Sequence, residues 1–512
     1  MSAMTFVERG NTLAAKLTAA LADPVRRERN VVIVLLCYVA VWTLYAVIAK
    51  GSQDVHYDMA EQLALSRELA FGHAKHPPLA AAIVGAWFTV FPVADWAYYL
   101  LAVSTAALAL WVCWRLSARY LDGEKRVVGL ALLTLVPFFN FHALKFNQNT
   151  VLLPLWAATT LFFLRSFEGR RVLDAALAGV FAALAIYGKY WSVMLLLGLG
   201  IAALTNPRRD AYFRSAAPWV TIAAGALVLA PHVVWLVGSN FAPFSYALAT
   251  HTAPSFAAVA LSLLTYLAGG AAYVALPVLL AVAAMRPSQQ AAADMLWPDS
   301  PERRLAAVAF WAPLLVPVAI ALVAQFQLTS LWTMSAWSLL PVVLLSSPLT
   351  TISLRDAANI VALAVIVPLV MIAAAPAVAY MVHRNGVTPG AAHASQLAQR
   401  VEAVWRETSD RPLRLFAGLE DFGYAVAFYL PERPQVVNAL DGVPPADLDA
   451  RIARQGIAMV CPARAQGCVD VAMRRASRAS VGRRVEAEVT RRYFNLEGDP
   501  ARYVIVAVAP RL

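Results

Sequence analysis

Long apolar runs, separated by short polar segments, make up most of the chain before residue 380. Because a helix needs about 17–25 apolar residues to cross a bilayer, we interpret eleven of these runs as membrane spans. The whole chain is 60% hydrophobic and 14% charged, whereas soluble domains carry about 45–50% apolar and 25% charged residues. A soluble protein is therefore excluded. The predicted spans are 31–49, 95–118, 127–141, 150–166, 172–188, 190–206, 216–238, 256–285, 305–324, 331–350 and 357–380.

Basic residues lie mainly on one side of these spans. Lys and Arg collect in the cytoplasmic loops of membrane proteins, so this side is predicted to be cytoplasmic, with residues 1–30 as the cytoplasmic N-terminus. It holds Arg9, Lys16, Arg26, Arg27, Arg29, Arg115, Arg119, Lys125, Arg126, Arg165, Arg170, Arg171, Arg208, Arg209, Arg214, Arg286, Arg303, Arg304 and Arg355. The other side holds Lys50, Arg67, Lys75, Lys145 and Lys189. Since topology explains the net charge of +11, no nucleic-acid partner is expected.

One further apolar run, 79–91, is too short to cross a bilayer comfortably. Counting it as a span would invert every later loop and destroy the charge asymmetry. We expect it to form an interfacial or half-inserted helix on the outer side. Residues 31–380 are thus predicted to form a transmembrane domain with a long outer loop at 50–94.

The composition changes after residue 380, where charged residues return and apolar residues occur in strand-sized runs. Alternation of these runs with helix-like stretches predicts a small α/β domain at 381–512. Eleven spans place this domain outside the cytoplasm, which is the periplasm in a bacterium with an inner membrane. Cys461 and Cys468 lie close together there, but spacing alone leaves open whether they form a disulfide. The strand-sized runs are 413–417, 435–438, 457–460 and 503–508, and the helix-like stretches are 392–408, 422–430 and 446–455.

Polar residues are concentrated on the outer side. A charged loop residue can simply be solvated, and a lone lysine at a helix end such as Lys189 usually extends its ammonium to the membrane surface. Taken together, however, carboxylates on one loop and cations and amides on others predict an outer cavity that holds an anionic headgroup. These residues are Asp54, His56, Asp58, Glu61, Lys75 and His76 in the first outer loop, and His142, Lys145, Asn147, Asn149, Lys189, Gln325, Gln327, Trp332 and Trp337 in later ones.

The stretch 58–79, DMAEQLALSRELAFGHAKHPPL, resembles the first-loop signature of the family 39 membrane glycosyltransferases. These enzymes are of the GT-C type, use polyprenyl-phosphate sugars, and include relatives of the protein O-mannosyltransferases and of the lipid A aminoarabinose transferases. The resemblance implies that Asp58 corresponds to the family's catalytic carboxylate. The tracts FNQNTVLLPLWAATTLFFLRS and GKYWSVMLLLGLG look like later segments of the family, and Lys189 matches a lysine commonly found there.

Two positions depart from the family pattern. Met59 replaces the acidic residue that normally follows the catalytic Asp, so Asp58 lacks an adjacent carboxylate with which to hold a hard cation. Asn149 stands where many members carry a second Asp. No metal and no other cofactor is expected, and the acceptor cannot be inferred from the better-known relatives.

The expected function is transfer of a sugar from a polyprenyl-phosphate donor to a lipid, glycan or protein acceptor at the outer face of the inner membrane. The reaction needs a base for the acceptor and cations for the departing phosphate. Asp58 is the predicted base, and a single carboxylate with no covalent nucleophile predicts inversion at the anomeric carbon. The predicted substrate-binding residues are Lys189, His76, Lys75, Lys145, Asn149, Asp54, His56 and Glu61.

Two other classes of protein remain open from the sequence. A transporter or flippase of lipid-linked substrates would carry its charges inside the membrane rather than at the outer rim. A scaffold that uses its C-terminal domain for binding would tolerate the loss of Asp58, whereas an enzyme would not.

Overall fold

The structure is a computed structural model that describes residues 3–68, 70–386, 392–419, 422–440, 444–477 and 482–511. The chain forms two compact units. The first, here called the helical unit, comprises Met1–Thr43, Ala70–Ala80 and Tyr99–Met371. The second, here called the mixed unit, comprises Leu44–Leu69, Ala81–Tyr98 and Ile372–Leu512.

Seven helices in the described part of the chain are long and apolar enough to cross a membrane, judged by length and composition. Each coincides with one of the eleven predicted spans, and a helical polytopic membrane protein is therefore confirmed. Their bounds are Arg27–Ala49, Asp95–Ser117, Gln148–Gly169, Ala217–Gly238, Phe256–Met285, Pro301–Ala324 and Leu354–Asn385.

The other four predicted spans coincide with shorter helices. The run 127–141 is helical only in its first part and then turns. The run 331–350 is divided between a 3-10 helix and a short α-helix, so neither run reaches the predicted length. The corresponding helices are Gly123–Thr134, Val172–Gly188, Val193–Thr205 after the 3-10 turn Tyr190–Ser192, and Leu340–Leu345 after the 3-10 helix Ser330–Leu339.

Several further helices connect or precede the spans. The predicted helix at 79–91 is present as Leu79–Val90, and its 12 residues extend about 18 Å at 1.5 Å per residue, less than the roughly 30 Å hydrocarbon core. The others are Ala3–Ala22, Tyr57–Leu65, the 3-10 turn Pro137–Phe139, Arg209–Phe213, Ala242–His251 and Gln289–Leu296.

Glycines let two helices of the helical unit approach closely. A Cβ on Gly179 would lie 2.1 Å from the Thr221 carbonyl oxygen, and one on Gly225 would lie 3.2 Å from the Gly179 carbonyl oxygen. Small residues at such crossings are typical of membrane helices, where packing drives association. This contact packs the helix Val172–Gly188, whose C-cap residue is Lys189, against the helix Ala217–Gly238.

The mixed unit contains one five-stranded sheet with the order β2-β1-β3-β5-β4. Strand β1 is parallel to β2 and β3, whereas β5 is antiparallel to β3 and β4. The strands are β1 (Leu415–Gly418), β2 (Gln435–Val436), β3 (Ile457–Pro462), β4 (Gly482–Tyr493) and β5 (Leu496–Val508).

Helices cover both faces of this sheet. Successive side chains of a strand point to opposite faces, and the apolar side chains of these strands are therefore buried on both. Phe416, Val460 and Ile505 pack with the helices Ala394–Arg406 and Phe422–Tyr429. Leu415, Met459 and Val506 pack on the opposite face with Leu448–Gln455 and Gln466–Ala476. The predicted small C-terminal α/β fold is therefore confirmed, although β4 and the helix Gln466–Ala476 were not predicted.

A disulfide joins Cys461, in strand β3, to Cys468, in the helix Gln466–Ala476, with the two Cα atoms 5.8 Å apart. The sequence left this pairing open, and the structure decides it by placing the end of strand β3 next to the start of the helix Gln466–Ala476. Cys37 and Cys113 are not disulfide-bonded.

We expect the disulfide to be detectable by alkylation of the denatured protein. Two thiols, those of Cys37 and Cys113, should react before reduction, and all four cysteines should react afterwards. The measurement is intact-protein mass spectrometry after rapid acid quenching of cells, and Cys461→Ser should expose Cys468 as a third thiol. Four reactive thiols without reduction would contradict the pairing.

Candidate functional site in the two units

A cavity of about 370 Å³ lies within the helical unit, and we call it the cationic cleft. Its wall comes from segments around Lys75, Lys189, Tyr246 and Trp332, all of which the charge count assigns to the outer side. The lining residues are Lys75, His76, Pro77, Lys189, Tyr190, Trp191, Met194, Pro243, Phe244, Tyr246, Ala247, Leu248, His251, Pro317, Ile320, Ala321, Ala324, Phe326, Leu328 and Trp332.

Lys189 contributes a cation to this wall. The helix Val172–Gly188 ends at this residue, where the backbone becomes extended before the turn Tyr190–Ser192. The Lys189 Nζ donates a 2.8 Å hydrogen bond to the Asn149 Oδ1 and lies 5.2 Å from the centroid of the Trp332 ring. The partners of Lys189 thus include an amide and an aromatic face, and both attract an ammonium although neither carries a charge.

Lys75 and His76 both lie near Tyr246 and belong to a different segment of the chain from Lys189. The Lys75 Nζ lies 6.0 Å from the centroid of the Tyr246 ring, and the His76 ring lies 6.4 Å from it. The His73 N–H donates to the His76 carbonyl at 3.0 Å, which closes this segment into a tight turn. The cleft therefore has lysines on two of its walls.

The buried His232 links the Lys75 segment to the cleft wall. Its Nδ1 lies 2.5 Å from the Phe71 carbonyl oxygen, and since a carbonyl only accepts, Nδ1 carries the proton. The Nε2 lies 3.0 Å from the Tyr190 hydroxyl, which must donate to it when the ring is neutral. Sequence reasoning did not find His232, because it lies in the middle of an apolar helix.

His251 also lines the cleft, between aromatic rings. Its ring centroid is 5.0 Å from that of Trp332 and 5.4 Å from that of Phe326. Burial lowers the pKa of His251 below its usual value, and the positive charge of Lys189 lowers it further. His251 is thus neutral near pH 7 and adds no positive charge to that of the lysines.

The rest of the cleft is apolar. Met194, Leu248, Pro317 and Ile320 are among the lining residues, and none of the lining residues is acidic. An amphipathic cavity with cations at one part and aliphatic and aromatic side chains at another suits a phosphate that carries a hydrocarbon tail.

Asp58 lies in the mixed unit, in the first turn of the helix Tyr57–Leu65, here called the first-loop helix. His56 caps this helix, and its Nδ1 accepts a 3.2 Å hydrogen bond from the Asp58 N–H. The Asp58 Oδ1 lies 3.7 Å from the same Nδ1, and about a quarter of each side chain is exposed. A helix N-terminus stabilises the carboxylate form of Asp58 while leaving the group accessible.

Asp54 and Glu61, predicted to bind substrate, are both buried. The carboxylate of Asp54 accepts hydrogen bonds from the Ala394 N–H and the Ser395 hydroxyl, each at 2.7 Å. The Arg491 Nη1 lies 3.8 Å from it. The oxygens of this carboxylate thus bind protein groups, and Asp54 anchors the first loop to the α/β fold.

The structure brings together some of the predicted site residues and not others. Lys75, His76 and Lys189 line one cavity, and Asn149 is hydrogen-bonded to Lys189. Lys145 does not line the cleft; its carbonyl accepts a bond from the Thr150 hydroxyl at the start of the next helix. Asp54, His56, Asp58 and Glu61 lie in the mixed unit.

Sequence reasoning also missed the aromatic wall at 242–251. This stretch, APFSYALATH, forms a short helix that supplies Phe244, Tyr246 and His251 to the cleft. The signal that could have revealed it is an aromatic-rich segment with a histidine on an outer loop. Trp332, by contrast, was predicted and does line the cleft.

Comparison with known proteins gives the following likenesses. The family model for dolichyl-phosphate-mannose-protein mannosyltransferases matches residues 75–235. ArnT from Cupriavidus metallidurans bound to undecaprenyl phosphate is 12% identical with a TM-score of 0.61, covering 94% of this chain and 99% of that one. The apo state of the same protein is 11% identical with a TM-score of 0.59 and the same coverage. An oligosaccharyltransferase from Archaeoglobus fulgidus is 12% identical with a TM-score of 0.44, covering 89% and 69%. No curated protein sequence matches the chain.

The fold of the chain is accordingly similar to that of ArnT. The family-model match over residues 75–235 agrees with the first-loop resemblance.

The electrostatic coupling in the cleft can be measured at His251. Because the charge of Lys189 disfavours the imidazolium, Lys189→Met should raise the pKa of His251, although burial should still keep it below the usual 6.5. NMR titration of histidine-labelled protein in detergent checks this, with Lys145→Met as the matched control that leaves the pKa of His251 unchanged. An unchanged pKa in Lys189→Met would show that the two side chains do not interact.

Proposed function

We propose that the protein is a glycosyltransferase that transfers a sugar from a polyprenyl-phosphate donor to an acceptor. The observation that carries this proposal is the cationic cleft, which combines Lys75 and Lys189 with an apolar wall. The family match at residues 75–235 includes both lysines. The similarly folded ArnT has been crystallised with undecaprenyl phosphate, which is the kind of molecule the chemistry of the cleft suits.

The donor phosphate is proposed to lie at the lysines. Ammonium groups neutralise the charge that grows on a phosphate as the glycosidic bond breaks, and such stabilisation is commonly the largest catalytic contribution. A cavity of about 370 Å³ is at the lower end of ligand pockets, so it would hold the phosphate and the nearest isoprene units. Burial of apolar tail surface would add about 25 cal/mol per Å².

Asp58 is proposed as the general base. It would take the proton from the acceptor hydroxyl or amine as the acceptor atom attacks the anomeric carbon. The bond between that carbon and the phosphate oxygen breaks, and the polyprenyl phosphate leaves with the electron pair. This single displacement inverts the anomeric configuration. His56, which accepts from the Asp58 N–H, holds the start of the helix that carries the base.

The reaction is proposed to occur at the outer face of the inner membrane, with the C-terminal α/β domain in the periplasm. The asymmetry of Lys and Arg between alternate loops supports this orientation. The Cys461–Cys468 disulfide supports it as well, because disulfides persist in oxidising compartments such as the periplasm.

Asp58→Asn should abolish transfer without affecting folding, because it removes the base and almost no volume. Loss of general-base catalysis typically lowers turnover by about 10²–10⁴-fold. Mass spectrometry of envelope lipids, glycans and proteins from a deletion strain and the complemented strain identifies the product, and its level in the variant strain then measures transfer. The matched control is Asp174→Asn, since Asp174 also lies in the first turn of a helix but outside the proposed site. Retention of more than about a tenth of wild-type transfer in Asp58→Asn would contradict the role of Asp58.

Lys189→Met should weaken binding of undecaprenyl phosphate and lower transfer by about 10²-fold, because it keeps the apolar stem and removes the charge. Lys189→Arg should restore only part of the loss, since a planar guanidinium does not replace a compact ammonium. Binding of undecaprenyl phosphate to the purified protein in detergent is the measurement. Lys145→Met is the comparison, because Lys145 does not line the cleft; a larger effect there than at Lys189 would place the phosphate elsewhere.

A further inference from the structure

One hydroxyl group in the mixed unit serves two partners near the proposed base. The Tyr429 hydroxyl accepts a 2.8 Å hydrogen bond from the Val55 N–H and donates to the carboxylate of Asp95, at 2.9 Å from its Oδ1. Val55 lies three residues before Asp58. The hydroxyl therefore connects the chain entering the first-loop helix to the start of the helix Asp95–Ser117.

The first-loop helix is also held on the side that follows Asp58. The Tyr98 hydroxyl donates to the Met59 carbonyl at 2.5 Å, and the Tyr98 ring stacks on Phe428 with centroids 6.1 Å apart. Phe428 and Tyr429 are the last residues of the helix Phe422–Tyr429, which packs against the first-loop helix. The backbone is thus held on both sides of Asp58, at Val55 and at Met59. The helix Phe422–Tyr429 takes part in both contacts, directly through Tyr429 and through the stacking of Phe428 on Tyr98.

A third anchor lies just before Val55. The Asp54 carboxylate accepts from the Ala394 N–H and the Ser395 hydroxyl, at the N-terminus of the helix Ala394–Arg406. Asp54 and Val55 are therefore both bonded to the α/β fold, whereas Asp58 itself stays partly exposed. Such an arrangement restrains the backbone of a reactive group without covering its carboxylate.

We propose that Tyr429 is a positioning residue that sets the direction of the Asp58 carboxylate through the Val55 hydrogen bond. The inference rests on the proposed function, in which Asp58 is the base. It gives the C-terminal α/β fold a part in the reaction, because the helix that ends at Tyr429 belongs to its core. Misplacement of a catalytic group by about 1 Å can cost about 10²-fold in rate, so loss of this bond should act on transfer rather than on donor binding.

Tyr429→Phe tests the proposal, because it removes the hydroxyl and keeps the ring. We expect transfer to fall about 10-fold or more, while the affinity for undecaprenyl phosphate, measured on the full-length protein in detergent, stays within about twofold. All residues lining the cationic cleft are outside the segment that Tyr429 holds. Hydrogen–deuterium exchange of the amides from 55 to 60 should become faster, and exchange in the β-sheet should not.

Two further variants separate positioning from general stability. Tyr493→Phe removes the hydroxyl of another half-buried tyrosine of the mixed unit and should leave transfer and exchange unchanged. Asp95→Asn keeps an acceptor for the Tyr429 hydroxyl and should retain most transfer, whereas Asp95→Ala should lower it. The double variant Tyr429→Phe with Asp95→Ala should lose little more transfer activity than Tyr429→Phe alone, because the two substitutions remove the same hydrogen bond.

The outcomes distinguish this inference from the proposed function. Normal transfer in Tyr429→Phe, with Asp58→Asn inactive, would overturn the positioning role and leave the proposed function intact. Equal losses of transfer and of undecaprenyl phosphate binding would show a general structural role and also overturn it. Hydrogen exchange in Tyr429→Phe could become faster throughout the sheet, which would indicate general destabilisation. In that case the transfer activities of Asp95→Asn and Asp95→Ala are compared. Equal activities would reject the inference. An active Asp58→Asn would reject Asp58 as the base and with it the part of the proposed function on which this inference rests.

Discussion

A cation at the end of an apolar helix needs partners that keep it charged, because an ammonium loses several kcal/mol of solvation free energy when it leaves water. Lys189 is such a cation, and the cleft around it provides what the charge requires. The Asn149 amide oxygen accepts from its Nζ, and the face of Trp332 lies over it. A carboxylate in place of Asn149 would bind the ammonium more strongly but would cancel the charge that an anionic ligand needs. The amide at 149, where many members of the resembled family carry Asp, makes this partner of Lys189 an uncharged one.

The two histidines His251 and His232 also affect the charge of the cleft and the position of its lysines. Burial and the nearby lysine keep His251 uncharged, so the cleft gains an aromatic surface there without a further charge. His232 uses both ring nitrogens to tie the segment of Lys75 to Tyr190, which brings the second lysine to the wall. These two hydrogen bonds of His232 help to place the Lys75 segment beside Tyr190 in the cleft wall.

The carboxylates of the first loop divide into two kinds according to their partners. Asp54 is buried and bonded to the backbone and side chains of the α/β fold, so its role is to hold the loop. Asp58 lies only four residues later, but at the N-terminus of a helix and partly exposed. The sequence shows both as acidic residues of one polar loop, and only the family resemblance of the stretch 58–79 favoured Asp58. The structure supplies the physical difference, because one carboxylate is buried against protein hydrogen-bond donors and the side chain of the other is about a quarter exposed.

The membrane fold and its α/β extension could be predicted because apolar run length and residue alternation are local properties of the chain. Seven predicted spans match long helices, and the strands at 415–418, 435–436 and 457–462 lie close to their predicted places. Strand β4 was missed because it is an edge strand and most of its arginines and glutamates face solvent. The run 127–141 was overestimated because a turn follows its short helix. By itself the sequence determined the class of membrane protein, the polar loops between the spans and the candidate lysines at 75 and 189. Only the tertiary structure decided that Lys75, Lys189 and the unpredicted aromatic segment 242–251 form one cavity, that Lys145 does not line it, and that Cys461 bonds to Cys468. Those outcomes depend on contacts between residues distant in sequence or on the relative orientation of a strand and a helix, which neither periodicity nor spacing encodes.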